Sequence, residues 1–296
     1  MAAVAARVLA LLAALGMVAG AFAVRAALDD DGGGGGGGSG GGDGEFVLVC
    51  ASELGDLCDE LDARTEPANR TADELIDLER DAEPELDAWL VPGPWPQMVD
   101  QVRELAGDDA LFATPDAVAT TRLAVVVRGG AIDDECRRDW ACVADGSHNV
   151  GALGVRHAVG VMARAAALSA KVGTADYGSE AFEAEAAWLT GVTNSLDRDQ
   201  FGAGTLQRFL TTPGSADGFI TTAAQARSAD EDDPILPEPA VTVELTLGLR
   251  AGASVPSELD DELLQNHGWE TGQPPAGTAS GLPSPDVLYA LREYLK

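Results

Sequence analysis

The chain has 296 residues, with 19 Lys+Arg against 49 Asp+Glu and a formal net charge of -30. This length fits one large domain or two domains of modest size. The acidity argues against a nucleic-acid partner, because binding phosphate backbones requires a basic surface. With 46% hydrophobic residues the chain can bury a core, which excludes a wholly disordered protein.

The first 28 residues are predicted to be a targeting segment. An uncharged apolar run extends from Val8 to Val24 between Arg7 and Arg25. As a helix it would span roughly 25 Å, at the lower limit for crossing a bilayer. Two interpretations stay open: a signal peptide cleaved after Ala23, or an uncleaved signal-anchor helix. We therefore expect a single-pass cell-membrane protein whose folded domain is extracellular, or alternatively a secreted protein.

Residues 29–44 form a glycine-rich segment that predicts a flexible linker. A phosphate-binding loop would need a Gly-Lys-Ser/Thr sequence, or a strand that feeds a helix, and neither is present. The folded part is therefore expected to begin at Glu45.

Four cysteines follow the linker as two closely spaced pairs, Cys50 with Cys58 and Cys136 with Cys142. An even number of cysteines in an exported chain favours disulfides. Of the three possible pairings we predict the local one, since each bond then closes a small loop. A zinc site is the alternative, but neither pair has C-x2-C spacing and no histidine stands at a familiar ligand spacing. No metal or cofactor is predicted.

Hydrophobic patterns predict strands and helices in alternation over the first part of the folded region, which is typical of α/β layers around a mainly parallel sheet. In chain order the predicted elements are a buried strand at Phe46–Cys50, a helix carrying Leu54, Leu57, Cys58 and Leu61, a helix begun by the capping box Thr71–Glu74, a strand at Leu86–Val91, an amphipathic helix from Trp95 to Ala106, and a buried strand at Leu123–Val127.

The second part is predicted to be more helical, with one strongly alternating strand near its end. The predicted elements are helices at Val155–Ala170, Gly178–Val192 and Gly202–Leu210, a strand at Gly218–Thr222, a helix at Ala223–Ala229, a half-buried strand at Val241–Leu249, and a C-terminal helix capped by Ser284 with Pro285 in its first turn. An acidic connector interrupted by prolines, residues 230–239, precedes the last strand.

Four segments in this order resemble type 2 periplasmic or extracellular solute-binding proteins, the ligand-capturing components of ABC transporters. FVLVCASELGDLCDEL resembles the first strand, turn and helix of that family, and DAWLVPGPWPQMV resembles the segment that delivers a loop to the cleft. LAVVVRGG resembles the strand that crosses into the second lobe, and GSADGFITTAAQA resembles the return segment of that lobe. The resemblance covers the chain from Glu45 to its C-terminus.

This resemblance implies two α/β lobes joined by two hinge crossings, preceded here by the N-terminal membrane helix. Lobe I would comprise residues 45–121 plus 236–296, and lobe II residues 122–235. The lobes would close over a small ligand in the cleft between them.

Ligands of open α/β sheets bind outside the carboxyl ends of strands, often against helix N-termini. Ser52 follows the first strand and precedes a helix, so we expect its hydroxyl to contact the ligand, with a helix cap as the alternative. Trp89 and Trp95 flank a Pro-Gly-Pro turn at a strand end, where an exposed indole could stack on a ligand. Trp95 also belongs to the apolar stripe of its helix, which favours core packing for this residue.

The remaining candidate ligand contacts lie in the predicted second lobe. Arg128, at a strand end, could clamp a carboxylate or oxyanion or form a solvated ion pair. Ser147, His148 and Asn149 precede an apolar helix and could receive an anion or cap that helix. The resemblance also implies that Asp217 faces the cleft.

The function expected from these features is small-molecule capture without catalysis. The sequence has no G-x-S-x-G, H-E-x-x-H or Walker motif, although acidic pairs are too abundant to exclude a two-carboxylate glycosidase by counting. A membrane permease or a sensor is the expected protein partner. The alternative is a non-transporting surface sensor or a structural module of the same fold.

Overall fold

The computed structural model describes residues 46–80, 82–113, 115–196, 205–212, 216–229, 231, 234–272 and 281–296. The predicted targeting segment and glycine-rich linker lie outside these ranges. The chain from Phe46 to Lys296 forms one compact unit. Within the described ranges, no helix has the length and apolar character of a membrane span.

In the described part of the chain, seven strands form a mixed sheet in the order β2-β1-β3-β7-β4-β6-β5. Their bounds are Leu48–Ala51 (β1), Arg64–Glu66 (β2), Ala88–Pro92 (β3), Asp116–Val127 (β4), Val150–Ala152 (β5), Gly218–Thr222 (β6) and Thr242–Leu249 (β7). The pairs β1–β2, β1–β3 and β5–β6 are parallel, whereas β3–β7, β7–β4 and β4–β6 are antiparallel. The prediction of a mainly parallel sheet was wrong, because β7 returns along the chain and inserts between β3 and β4.

Strand β4 connects two groups of strands. Its first part, up to Arg122, pairs with β7, and its second part, from Leu123 onward, pairs with β6. The chain returns alongside it, because Ile235 pairs with Val125 and the carbonyl of Val241 accepts the Leu123 N–H. The two crossings therefore lie side by side, next to the expected lobe boundaries, which themselves stay predictions.

Eleven α-helices of the described chain cover the sheet. They are Asp56–Glu60 (α1), Ala68–Ile76 (α2), Trp95–Ala106 (α3), Trp140–Ala144 (α4), Ala158–Val172 (α5), Glu180–Ala184 (α6), Ala186–Leu196 (α7), Thr205–Thr211 (α8), Ala223–Ser228 (α9), Asp261–Asn266 (α10) and Pro285–Leu295 (α11). Short 3-10 turns precede α1 and α4, at Ser52–Leu54 and Cys136–Arg138.

Three boundaries differ from the predicted ones for local reasons. Helix α2 begins at Ala68 after Pro67, so Thr71 lies inside the helix and its hydroxyl donates to Glu66 (3.4 Å) instead of capping. The helix expected over 178–192 is divided into α6 and α7. Residues Val150–Ala152 form β5, so α5 begins only at Ala158.

The predicted elements with strong apolar patterns are present. Strands β1, β3, β6 and β7 and helices α3, α9 and α11 lie where the hydrophobic runs placed them. Strand β7 is buried on both faces over its second half, as the burial of Thr246 shows, because β3 and β4 flank it and helices cover the sheet. A strand in that position is not half-exposed.

Both predicted disulfides are confirmed. Cys50 is bonded to Cys58 with their Cα atoms 5.8 Å apart, and Cys136 is bonded to Cys142 with a Cα separation of 5.2 Å. The first bond ties the end of β1 to α1 across the Ser52–Leu54 turn. That turn forms one wall of the candidate site.

Candidate functional site

A cleft of about 190 Å³ lies at the carboxyl ends of β1 and β6, between the two groups of strands. A cleft of this volume has room for a small molecule or several waters. The predicted lobe I contributes Ser52, Glu53, Leu54, Gly55, Asp56, His267 and Trp269. The predicted lobe II contributes Leu153, Leu206, Gln207, Phe219, Thr221, Gln225, Ser228 and Ala229.

Ser52 lines this cleft, as the sequence predicts. Strand β1 ends at Ala51, and the 3-10 turn that follows presents Ser52 directly to the opposite group of strands. Its Oγ lies 3.3 Å from Nδ1 of His157, the residue that immediately precedes α5. The hydroxyl therefore belongs to the contact between the two predicted lobes, and its role as a ligand contact stays a prediction.

The opposite wall is built by the junction of β6 and α9. Thr222 caps α9 by accepting the Gln225 N–H at 3.1 Å. The Gln225 side chain then turns toward the cleft, where its Oε1 accepts the Thr221 hydroxyl (2.6 Å) and its Nε2 donates to the carbonyl of Glu53. One glutamine thus connects lobe II to the turn after β1.

Further contacts close the interface beside the cleft. The Glu53 carboxylate accepts the Ala158 N–H at the start of α5, at 2.6 Å. The Asn69 N–H donates to the carbonyl of Arg156 (3.0 Å), and the Asn69 side chain donates to the carbonyl of Val155. The segment before α5 is therefore held by two elements of the predicted lobe I.

The aromatic residues and the histidine of the lining come from β6 and from the segment after α10. Phe219 and Trp269 are almost fully buried and contribute apolar surface. His267 Nε2 lies 3.2 Å from the Glu60 carboxylate. Lysine and arginine are missing from the lining contributed by the described residues. Nor does that part of the chain bring three or more His, Cys, Asp or Glu side chains together as a metal site.

Trp89 and Trp95 lie in the core instead of the cleft. Both indoles are completely buried, so neither offers the exposed surface that stacking on a ligand requires. Trp89 packs against Phe112 with ring centroids 6.2 Å apart. Trp95 is fixed by its Nε1–H, which donates to Asn69 Oδ1 at 2.7 Å. The apolar stripe of α3 is the stronger determinant for Trp95, as helix periodicity suggests.

The structure gathers Arg128, Asn149 and Asp217 at the opposite end of lobe II. Asp217 Oδ2 accepts the Asn149 N–H (3.0 Å), and the Asp217 carbonyl accepts the Arg128 N–H (2.9 Å). The Arg128 guanidinium lies over the Phe209 ring, 4.5 Å from its centroid. Along β6, Asp217 lies two residues before Phe219 and four before Thr221, both of which line the cleft, so the cluster is roughly 7 Å from the nearer of them and roughly 13 Å from the other.

Ser147 and His148 stand at the same distal end, before β5. The Ser147 N–H donates to Asp145 (2.7 Å), and His148 Nε2 lies 3.8 Å from Asp133. The pKa of the Asp133 carboxyl is lowered, chiefly because it accepts the Cys136 N–H at 2.8 Å. These residues precede a strand and cap no helix of the cleft.

The path of β4 explains why these five residues are not part of the cleft lining. Strand β4 runs in the same direction as β3 but continues past the cleft through the second strand group, so its carboxyl end reaches the distal edge. Strands β1 and β6 both end at the cleft, where the rule that ligands bind at carboxyl ends would place a ligand. The carboxyl end of β4 lies elsewhere, because that strand passes through both groups.

The sequence analysis did not predict four residues at or beside the cleft: Glu53, His157, Gln225 and Trp269. One of them carried a readable signal, since Thr222 followed three residues later by Gln225 is a capping box directly after a predicted strand. The other three are brought together only by the tertiary fold, from segments more than a hundred residues apart.

No protein-family model matches the chain, and no curated protein matches it by sequence. Several solved structures are similar to it in fold. The periplasmic thiamin binding protein superposes with a TM-score of 0.54 at 11% identity, covering 84% of this chain and 93% of that one. The ferric binding protein from Campylobacter jejuni gives a TM-score of 0.53 at 10% identity, with coverages of 84% and 96%. Apo FutA2 from Synechocystis PCC6803 gives 0.51 at 11% identity, with coverages of 84% and 95%.

The fold is that of a type 2 periplasmic solute-binding protein. The resemblance predicted from the sequence is therefore confirmed at the level of the fold. This fold has two lobes. That the two groups of strands are these lobes, joined by β4 and the returning segment from Ile235 to Val241, stays a prediction.

Proposed function

We propose that this protein is an exported, membrane-tethered solute-binding protein that captures a small ligand between its lobes by hinge closure. One observation carries the proposal: a cleft of small-molecule size is lined from both predicted lobes at the carboxyl ends of β1 and β6. Two proteins of the same fold are named for binding thiamin or ferric iron, which supports binding over catalysis. A membrane permease or a sensor would respond to the closed form.

The test is a thermal-shift screen of the full chain in mild detergent under non-reducing conditions. The panel contains amino acids, sugars, oxyanions, polyamines and metal ions. A ligand that binds only the native state raises the melting temperature with concentration. We expect one chemical class to give a saturable shift, which Gln225→Ala weakens and which Gln101→Ala, on the exposed face of α3, leaves unchanged. A cooperatively melting sample that responds to none of these classes would contradict the proposal.

Export and tethering rest on the apolar N-terminal run and on the two disulfides, which persist in oxidising compartments. Cell fractionation decides the tether, since a retained anchor places the full-length chain in the membrane fraction. Protease added outside intact cells should then digest the folded domain. A full-length chain recovered from the cytoplasm would contradict this part of the proposal.

A second candidate is a surface sensor or structural module with the same fold that does not transport. The polar contacts that Glu53, Asn69 and Gln225 make across the lobe interface favour it, because they hold the lobes together through the protein's own side chains. X-ray scattering of the chain with and without a ligand from the screen separates the two functions. A rigid module keeps one radius of gyration, whereas a hinge-closing protein becomes more compact.

A further inference from the structure

The N-terminus of α5 already carries a carboxylate, and it belongs to the protein. Glu53 follows β1 in lobe I, and none of its side chain is exposed. Its Oε1 accepts the N–H groups of Ala158 (2.6 Å) and Val159 (3.4 Å), the first two residues of α5. The first N–H groups of a helix have no partner within the helix and attract negative charge, so this is the position that an anionic ligand would take.

The second oxygen of the same carboxylate faces a histidine. Glu53 Oε2 lies 3.4 Å from Nδ1 of His157 and makes no hydrogen bond within the described part of the chain. Ser52 Oγ, which lines the cleft, lies 3.3 Å from the same ring nitrogen. The serine, the histidine and the helix N-terminus thus form a polar site directly beside the cleft, and a buried carboxylate occupies it.

Helix capping alone does not account for this arrangement. Caps come from the residue just before a helix, because that residue reaches the free N–H groups at little cost. Here His157 occupies that position without a side-chain cap, and the acceptor arrives from a residue 105 positions earlier. Burying a carboxylate costs free energy unless charge and hydrogen bonds compensate it. The contact therefore joins two lobes at the cleft rather than merely starting a helix.

Among the described residues, the formally charged side chains in the cleft lining, Glu53 and Asp56, are both negative. Glu60 stands 3.2 Å from His267, and no lysine or arginine contributes to the described lining. The whole chain carries a formal charge of -30. Long-range repulsion therefore opposes an anion before it reaches the N-terminus of α5.

We propose that Glu53 determines the ligand class of the cleft. Its carboxylate fills the anion position at the N-terminus of α5, so the cleft accepts an uncharged or cationic small molecule and rejects carboxylates and oxyanions. This inference rests on the proposed function, because it concerns the same cleft. It predicts that an anion site appears when the carboxylate is removed.

The experiment compares the full-length wild type with Glu53→Ala, titrating sodium acetate, sulfate and phosphate against sodium chloride at matched ionic strength. The wild type should show no shift in melting temperature beyond that in chloride. Glu53→Ala should melt several degrees lower, and acetate should restore part of the loss saturably, because a small carboxylate fits the vacated position. Asp56→Ala is the matched control: it removes one negative charge from the same cleft, but among the described residues the Asp56 carboxylate accepts no helix N–H, so acetate should not stabilise the variant.

Three results would overturn the inference: saturable stabilisation of the wild type by any of the three anions, no acetate-specific effect on Glu53→Ala, or an equal effect on Asp56→Ala. If Glu53→Ala does not fold, Glu53→Gly expressed and refolded in acetate replaces it, and the wild-type titration still decides whether anions are rejected. A wild type that binds no uncharged or cationic compound contradicts the proposed function, whereas the acetate response of the variants is read independently.

Discussion

A single methyl group at Gly160 tests the packing beside the cleft. Gly160 is the third residue of α5, and a Cβ built there would approach the carbonyl oxygens of Leu153 and Gly154 to well under 3.0 Å. Both are backbone atoms of the segment after β5, and Leu153 lines the cleft. Backbone carbonyls cannot rotate away as a flexible side chain can, so either α5 or this segment must move.

Two opposing terms decide the magnitude. Replacing glycine by alanine within a helix stabilises it by about 1 kcal/mol. Overpacking of a tight interior costs about 1–3 kcal/mol, and rigid neighbours favour the upper end. We therefore expect Gly160→Ala to lower the free energy of unfolding by about 2 kcal/mol. Gly191 in α7 is the matched control, because nothing lies within 4 Å of the position that an added methyl group would take, so only the helix term remains. Gly191→Ala should therefore stabilise by about 0.5–1 kcal/mol.

The assay is urea unfolding of both variants and the wild type, followed by tryptophan fluorescence under non-reducing conditions. The difference between the two alanine variants should be about 3 kcal/mol. Gly160→Ala should also weaken binding of any ligand found for the cleft, since Leu153 is displaced. A Gly160→Ala protein as stable as Gly191→Ala would refute the close approach of α5 to this segment.

Three further predictions concern stability. Burial raises the pKa of Tyr177 to about 12, from 10.0. The folded state therefore favours the neutral phenol. Its contribution to the free energy of unfolding is complete below pH 10 and is lost as the pH rises from 10 to 12. Between these pH values the free energy of unfolding of the wild type should fall by about 2–3 kcal/mol more than that of Tyr177→Phe. Replacing Cys50 and Cys58 together by alanine should lower the free energy of unfolding by about 2–3 kcal/mol, measured in urea, and an unchanged midpoint would contradict a constraining bond. Asn69→Leu leaves the Trp95 N–H without its acceptor and should cost about 1–3 kcal/mol, with a double-mutant cycle using Trp95→Phe showing the coupling.

Sequence reasoning predicted the elements whose burial is indicated by the hydrophobic pattern of their own segment. Strands β1 and β6 and helix α3 carry apolar runs of the right period and are present. Strand β2, Arg64–Glu66, is an exposed or half-buried edge strand of three residues and has no such run. The first part of β4 was missed because Asp116–Arg122 is rich in alanine and threonine, whose burial depends on its neighbour β7.

The candidate site was predictable only where one segment determined it. Ser52 could be predicted because a strand, a turn and a helix succeed one another in a single segment, and it lines the cleft. Arg128 also stands at a strand end, but its strand ends beside Gly218, at the amino-terminal end of β6 and not at the carboxyl end that faces the cleft, a path that only the pairing of β4 with both β7 and β6 fixes. Glu53 looked like one acidic residue among 49, and its burial arises from a helix that begins more than a hundred residues later.

The hydrogen bonds across the interface also set the free energy that the proposed opening of the cleft requires. Opening the cleft breaks the hydrogen bonds from Ala158 to Glu53, from Gln225 to Glu53, and the two between Asn69 and the segment before α5. A net hydrogen bond contributes about 1 kcal/mol, and one to a charged group about 2 kcal/mol, so the sum is about 5 kcal/mol. That is close to the roughly 5.5 kcal/mol that moves a two-state equilibrium from 1:99 to 99:1. A few polar contacts therefore suffice to hold the lobes together, and ligand affinity in this protein would depend as much on them as on the cleft lining.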